Sequence, residues 1–137
     1  DTNSHLHHAI DELGKIMEVN AVSSFYKTAP VGGPPQEDYL NAVLVGRSDM
    51  DPLDLLIAMQ EIETLAGRTR EIHWGPRTLD LDLITFGEFA LMEPHLELPH
   101  PRAHERAFVL EPWLEIEPEA HLPGHGLARD LLLALKQ

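Results

Sequence analysis

Leu6, Ala9, Ile10, Leu13, Ile16 and Met17 recur at the spacing of one helix face, which predicts an amphipathic helix over residues 3–17, starting near Thr2 or Ser4. Positions 19–26 are β-branched and aromatic enough to predict a strand, and 39–47 (YLNAVLVGR) predict a second. The intervening TAPVGGPPQED is a shaped loop, because proline restricts φ and glycine permits turns. Asp51 then caps a second helix with Pro52 at its first position and Asp54 in the first turn; Leu55, Leu56, Met59, Ile62 and Ala66 form its apolar face, and it stops at Gly67. Residues 78–86 (TLDLDLITF) alternate, which predicts a strand with Leu79, Leu81 and Leu83 turned to the core and Asp80, Asp82 and Ile84 turned away. A hairpin after Gly87, a Pro/His/Arg-rich loop at 99–106, an apolar run AFVLEPWLEI and a final helix over 127–135 complete the chain. This order predicts an α+β sandwich, with helices on one face of a mostly antiparallel sheet. One strand ahead of the first helix would complete a split βαβ ferredoxin-like unit, so the sequence reads as N-terminally truncated.

Size and composition narrow the picture. The 137 residues, 43% of them hydrophobic, suit a single domain spanning 1–137. A formal net charge of −13 opposes general attraction to nucleic acid or to an anionic membrane. Any anionic ligand therefore needs a local positive cluster. Arg68, Arg70, Arg77, Arg102 and Arg106 supply one, in a window without lysine, and arginine suits forked recognition of phosphate oxygens. The chain has no cysteine, which fits a reducing cytoplasm, and no apolar run approaches the roughly 20 residues that span a bilayer.

The chemistry concentrates at HWGPRTLDLD. On a strand, Asp80 and Asp82 project from one face about 7 Å apart, so a cation between them relieves their repulsion. Magnesium suits that position, because it takes one or two carboxylates together with phosphate and water oxygens. Gly75 and Pro76 shape the approach, Arg77 precedes the pair, and Trp74 offers a stacking face. Neither a Walker loop nor a G-x-G-x-x-G turn is present, so a polyphosphate would be clamped by metal and by arginines from two loops: Arg68, Arg70 and Arg77 from the first, Arg102 and Arg106 from the second. His100 and His104 have the spacing of a helical zinc pair, but Pro99 and Pro101 keep His100 out of a helix. His100 is better placed to donate a ring N–H to a phosphate beside Arg102 and Arg106.

Four segments, SSFYKTAPVGGPPQEDYLNAV, QEIETLAGRTR, HWGPRTLDLDLITFG and LPHPRAHERAFVLEPWLEIEPE, cover most of the chain. In this order they resemble the 6-hydroxymethyl-7,8-dihydropterin pyrophosphokinases of folate biosynthesis. The resemblance implies a ferredoxin-like fold and transfer of the β,γ-diphosphate of ATP to the pterin hydroxymethyl oxygen, releasing AMP. It implies two magnesium ions on Asp80 and Asp82, and an ATP site drawn from Gln60, Glu63, Trp74, Arg77, His100 and Arg106. Arg68 and Arg77 would lie on catalytic loops; Thr28, Pro30, Val31, Tyr39, Asn41, Trp74 and Phe108 would form the pterin pocket. A flat heterocycle needs aromatic faces, and an Asn amide matches its donor and acceptor edge. The loop between Gly67 and Trp74 is one residue short for the family and carries Glu71 and His73 where basic residues are frequent. Pro101 stands where some members have Tyr. The expected partners are ATP and hydroxymethyl dihydropterin, with neither nucleic acid nor membrane, and a monomer is expected. The alternatives are another ATP-dependent small-molecule kinase on the same fold, or a nucleotide-binding module without turnover.

Overall fold

The computed structural model describes residues 2–28, 39–68 and 79–137. Its elements run α1 (Thr2–Leu13), β1 (Glu18–Val22), β2 (Tyr26–Thr28), β3 (Tyr39–Asn41), β4 (Leu44–Arg47), α2 (Pro52–Arg68), β5 (Leu91–Glu93), β6 (Leu96–Leu98), a 3-10 turn (Ala103–Glu105), α3 (Ala107–Ile116), β7 (His121–Leu122), β8 (Gly126–Leu127) and α4 (Ala128–Leu135). The class is α+β, with four helices and short strand pairs among the described residues. The chain divides into two compact units: Asp1–Asn20 with Gly46–Asp82, and Ala21–Val45 with Leu83–Gln137.

In the first unit α1 packs on α2. Ala9 and Leu13 from α1 are buried, as are Leu55, Met59, Ile62 and Ala66 from α2. The α2 positions follow steps of four, three and four, which keep them on one face. The helix begins as expected: Leu55 N–H closes the first turn on Asp51 O at 2.9 Å, with Pro52 where no amide is required. α1 ends at Leu13, four residues short of the predicted end at 17. The N–H groups of Lys15 and Ile16 bond to the carbonyls three residues back, at 3.1 Å each, and this tightened turn at Gly14 swings the chain into β1. Gly46 lies against that turn, where a Cβ would collide with the Glu18 carbonyl and approach Met17 Cε to 2.5 Å.

In the second unit Leu110 and Leu122 are fully buried and cluster with Ala103, Val109, Trp113, Ala120 and Ala128. Trp113 satisfies its indole N–H on Glu117 Oε1 at 2.9 Å, one helical turn on. Ala128 N–H reaches Ala120 O at 2.9 Å and ties the start of α4 to the end of the α3 connection.

Two predicted strands are each divided in two, and the cause is one side chain. The buried Ser23 donates its N–H to Val43 O at 2.8 Å, but Val43 N–H returns to Ser23 Oγ at 2.9 Å instead of to a backbone carbonyl. A hydroxyl therefore stands in for a ladder group. The predicted strand over 19–26 becomes β1 and β2, and that over 39–47 becomes β3 and β4, with β1 paired to β4 and β2 to β3. The β2–β3 ladder is antiparallel, with Tyr26 opposite Asn41, Lys27 opposite Leu40 and Thr28 opposite Tyr39. β5–β6 and β7–β8 are antiparallel hairpins.

The predicted strand over 78–86 is corrected. Residues 79–86 join no ladder; exposure alternates only over 79–83, with Leu79 buried, Leu81 and Leu83 half-buried and Asp80 and Asp82 exposed, whereas Ile84, predicted to turn away, is half-buried against the core cluster of the second unit. Extended backbone becomes a strand only where its amides meet a partner strand. Here the Leu81 N–H goes to a side chain, Glu63 Oε2 at 2.6 Å, and Ile84 O accepts the His100 N–H at 2.8 Å.

Candidate active site

Asp80, Asp82, Gln60, Glu63 and Arg68 fall in the first unit. Glu63 projects from α2, and its hydrogen bond to Leu81 pins the peptide between the two aspartates. A charge-assisted bond of this kind is roughly twice as strong as a neutral one. It fixes the extended segment so that residues 80 and 82 share its exposed side. Gln60, one turn earlier on α2, is exposed. Arg68 is the last residue of α2. Arg70, Trp74 and Arg77, like Pro30 and Val31, lie outside the described residues.

Among the described residues, no group of three or more His, Asp or Glu side chains comes together as a metal-ligand cluster. Two exposed carboxylates with hard oxygen donors nonetheless suit magnesium, which completes its octahedron with water and phosphate oxygens. The donor set fits that ion and does not resemble the nitrogen and sulfur cages of structural zinc.

Thr28, Tyr39, Asn41, His100, Arg102, Arg106 and Phe108 fall in the second unit. The ladder places Tyr26, Thr28, Tyr39 and Asn41 on one face, and Asn41 Nδ2 donates to Thr28 Oγ1 at 2.8 Å. The amide is thereby oriented, and its oxygen is left as an acceptor. Tyr39 is 47% exposed and Phe108 41%, whereas Val109 and Leu110 beside Phe108 are buried. The Phe108 ring is thus a surface face and not core packing. Arg106 stands with Cζ 5.4 Å from its centroid, within cation–π range. His100 Nδ1 accepts the Arg102 N–H at 3.2 Å, which in a neutral ring places the proton on Nε2. His104 instead stacks on His125, with ring centroids 4.2 Å apart.

One carboxylate was not foreseen. Glu115, in the last turn of α3, accepts the Ser24 N–H at 3.0 Å, the Ser24 hydroxyl at 2.9 Å and the Tyr26 hydroxyl at 2.7 Å. The available signal was its place: a helix C-terminus disfavours negative charge, so an acid there needs a tertiary reason. The Tyr26 bond, followed by those from Ser24, holds the Glu115 carboxyl below its ordinary 4.5, and the same contact raises the Tyr26 phenol above 10.0. A lowered carboxyl contributes stability that is present above its ordinary value and is lost as pH falls through the lowered one. A raised phenol contributes stability that is present below its ordinary value and is lost as pH rises through the raised one. We therefore expect the melting difference between wild type and Tyr26→Phe to be flat from about pH 5 to 9 and to shrink at both extremes. A difference that persists unchanged in thermal scans at about pH 3 contradicts this coupling.

The class defined by this architecture is α+β, with four helices and short strand pairs among the described residues. The chain belongs to the 7,8-dihydro-6-hydroxymethylpterin-pyrophosphokinase family, whose model matches residues 1–118. It is 41% identical over 128 residues to the 2-amino-4-hydroxy-6-hydroxymethyldihydropteridine pyrophosphokinase of Pseudomonas aeruginosa, covering 92% of this chain and 79% of that protein. It is 40% identical to the protein of the same name from Mycobacterium bovis, covering 100% and 77%. A bifunctional protein, FolKE, of Lactococcus lactis subsp. cremoris is 42% identical over 118 residues, and there the match spans 85% of this chain but only 34% of the relative. The chain thus spans about a third of the bifunctional relatives' length.

Proposed function

We propose that the chain transfers the β,γ-diphosphate of ATP to 6-hydroxymethyl-7,8-dihydropterin, with magnesium, in folate biosynthesis. The family match carries this reading, and the exposed pair Asp80 and Asp82, held by Glu63, supports it locally. In the reaction the pterin hydroxymethyl oxygen attacks the β-phosphorus and loses its proton. The bond from that phosphorus to the oxygen bridging it to the α-phosphorus breaks, and AMP leaves with that oxygen.

Asp80 and Asp82 would hold the metal, which neutralises phosphate charge and polarises the phosphoryl oxygens when bound. His100, through Nε2–H, and Arg102 and Arg106 donate to phosphate oxygens, with Gln60 and Glu63 on the ATP side. Arg68, Arg70 and Arg77 belong to the same reading as cations for the transferring group. Tyr39 and Phe108 offer aromatic faces to the heterocycle, Asn41 and Thr28 meet its polar edge, and Pro30, Val31 and Trp74 complete the assignment. No general base is needed, because positioning and charge account for most of the acceleration of phosphoryl transfer. The chain is taken to act as a monomer in the cytoplasm, a reducing compartment that suits its lack of cysteine.

Product analysis tests the reading. With ATP, magnesium and the pterin, AMP and pterin diphosphate should form in equal amounts. ADP would instead mark a single-phosphoryl kinase, and absence of product a nucleotide-binding module; either outcome overturns the proposal.

A further inference from the structure

Glu115 and Phe108 are seven residues apart on α3, two turns along one face of the helix. Phe108 lies in the first turn of the helix and is exposed; Glu115 lies in the last turn and receives the bonds from Ser24 and Tyr26. Tyr26 begins β2, a strand of three residues whose only ladder partner among the described residues is β3, itself of three. A two-stranded ribbon of that length is marginal by itself and needs an external anchor to hold its position. Tyr26 lies opposite Asn41 in the ladder and shares its face with Thr28 and Tyr39. The carboxylate therefore joins the helix face that carries Phe108 to the ribbon face that carries Thr28, Tyr39 and Asn41.

We propose that Glu115 is a positioning residue for the heterocyclic substrate, setting the spacing between the Phe108 ring and the Thr28–Asn41 pair. This rests on the pterin-pocket reading of those residues. Glu115 need not touch the substrate. A flat ring held between an aromatic face and a polar edge tolerates little change in their separation, because both contacts decay over about an ångström. A Gln at 115 keeps the shape but removes the charge, and its NH2 group cannot accept, so at least one of the bonds is reversed or lost and those that remain lose their charge assistance. Tyr26→Phe removes one bond and leaves the others.

Steady-state kinetics with each substrate varied in turn provides the test. For Glu115→Gln the KM for hydroxymethyl dihydropterin should rise about tenfold while that for ATP stays within about twofold; Tyr26→Phe should move the same constant about threefold. In a Phe108→Ala background the effect of Glu115→Gln on the pterin constant should shrink, since the spacing no longer has a ring to set. A purely structural role would lower the melting temperature and the active fraction without separating the two KM values. Folded variants with an unchanged pterin KM, with both constants moved equally, or with fully additive effects overturn the proposal. If Glu115→Gln does not fold, Tyr26→Phe and its cycle with Phe108→Ala decide by the same criteria. A wild-type chain that does not turn over the pterin refutes the pocket reading itself, and the positioning role falls with it; an active wild type with silent variants refutes the positioning role alone.

Discussion

Asp82→Ala is expected to reduce AMP formation by about a thousandfold or more, with saturating magnesium, ATP and pterin. The magnitude follows from what the carboxylate supports in the proposed mechanism. A metal that neutralises charge on a transferring diphosphate contributes several kcal/mol to the transition state, and each 1.4 kcal/mol is about tenfold in rate. Asp82 is exposed and lies in an extended segment without a ladder, so its loss leaves the buried faces of α1 and α2 intact and the melting transition cooperative. Asp80→Ala should behave alike, and excess magnesium should restore part of the rate in either single variant but not in the pair. A coupled assay that follows AMP release settles it. Near-native turnover in Asp82→Ala would remove the metal role from this segment and with it the proposed mechanism.

Leu110→Ala is expected to cost about 2–5 kcal/mol of folding stability, the usual range for truncating a fully buried leucine. Leu110 has no solvent exposure and lies in the cluster with Ala103, Val109, Trp113, Ala120, Leu122 and Ala128. Three of these neighbours are alanines, short and fixed on the backbone, so little side chain is free to move into the space left behind. That argues for the upper part of the range. Domains have about 5–15 kcal/mol in total, so the variant should melt on the order of 10 °C lower and lose a large part of its resistance to urea. Leu132→Ala, at a partly buried position against the same cluster, should cost clearly less. Equal effects at the two positions, or a cost under about 1 kcal/mol at Leu110, would place the core elsewhere.

The two substitutions probe different kinds of information. Asp80 and Asp82 were legible because alternation along an extended chain is a local property: a period of two puts both carboxylates on one side whether or not a neighbouring strand is present. The buried face of α2 was legible for a similar reason, since the spacing of Leu55, Met59, Ile62 and Ala66 is set by helix geometry alone. The exposure of Phe108 is not set by local pattern, because it stands in an apolar run. Its neighbours Val109 and Leu110 take the buried side of α3, and the turn of the helix leaves the ring outside.

What the sequence by itself determined was the class and the family: an α+β chain with helices at 2–13, 52–68 and 128–135 close to where apolar spacing and capping put them, a carboxylate pair on one exposed side of an extended segment, and motifs that match a pyrophosphokinase family. Only the tertiary structure decided where strands exist. The Ser23 hydroxyl divides two predicted strands into four, and the Glu63 carboxylate takes the amide that residues 79–86 would have offered to a ladder. It also decided the role of Glu115, whose partners stand 91 and 89 residues away along the chain. The physical reason is common to all three. Periodicity and propensity are properties of a few neighbouring residues, whereas a hydrogen bond from a side chain to a distant backbone or hydroxyl group depends on how the elements come together, and no local pattern encodes it.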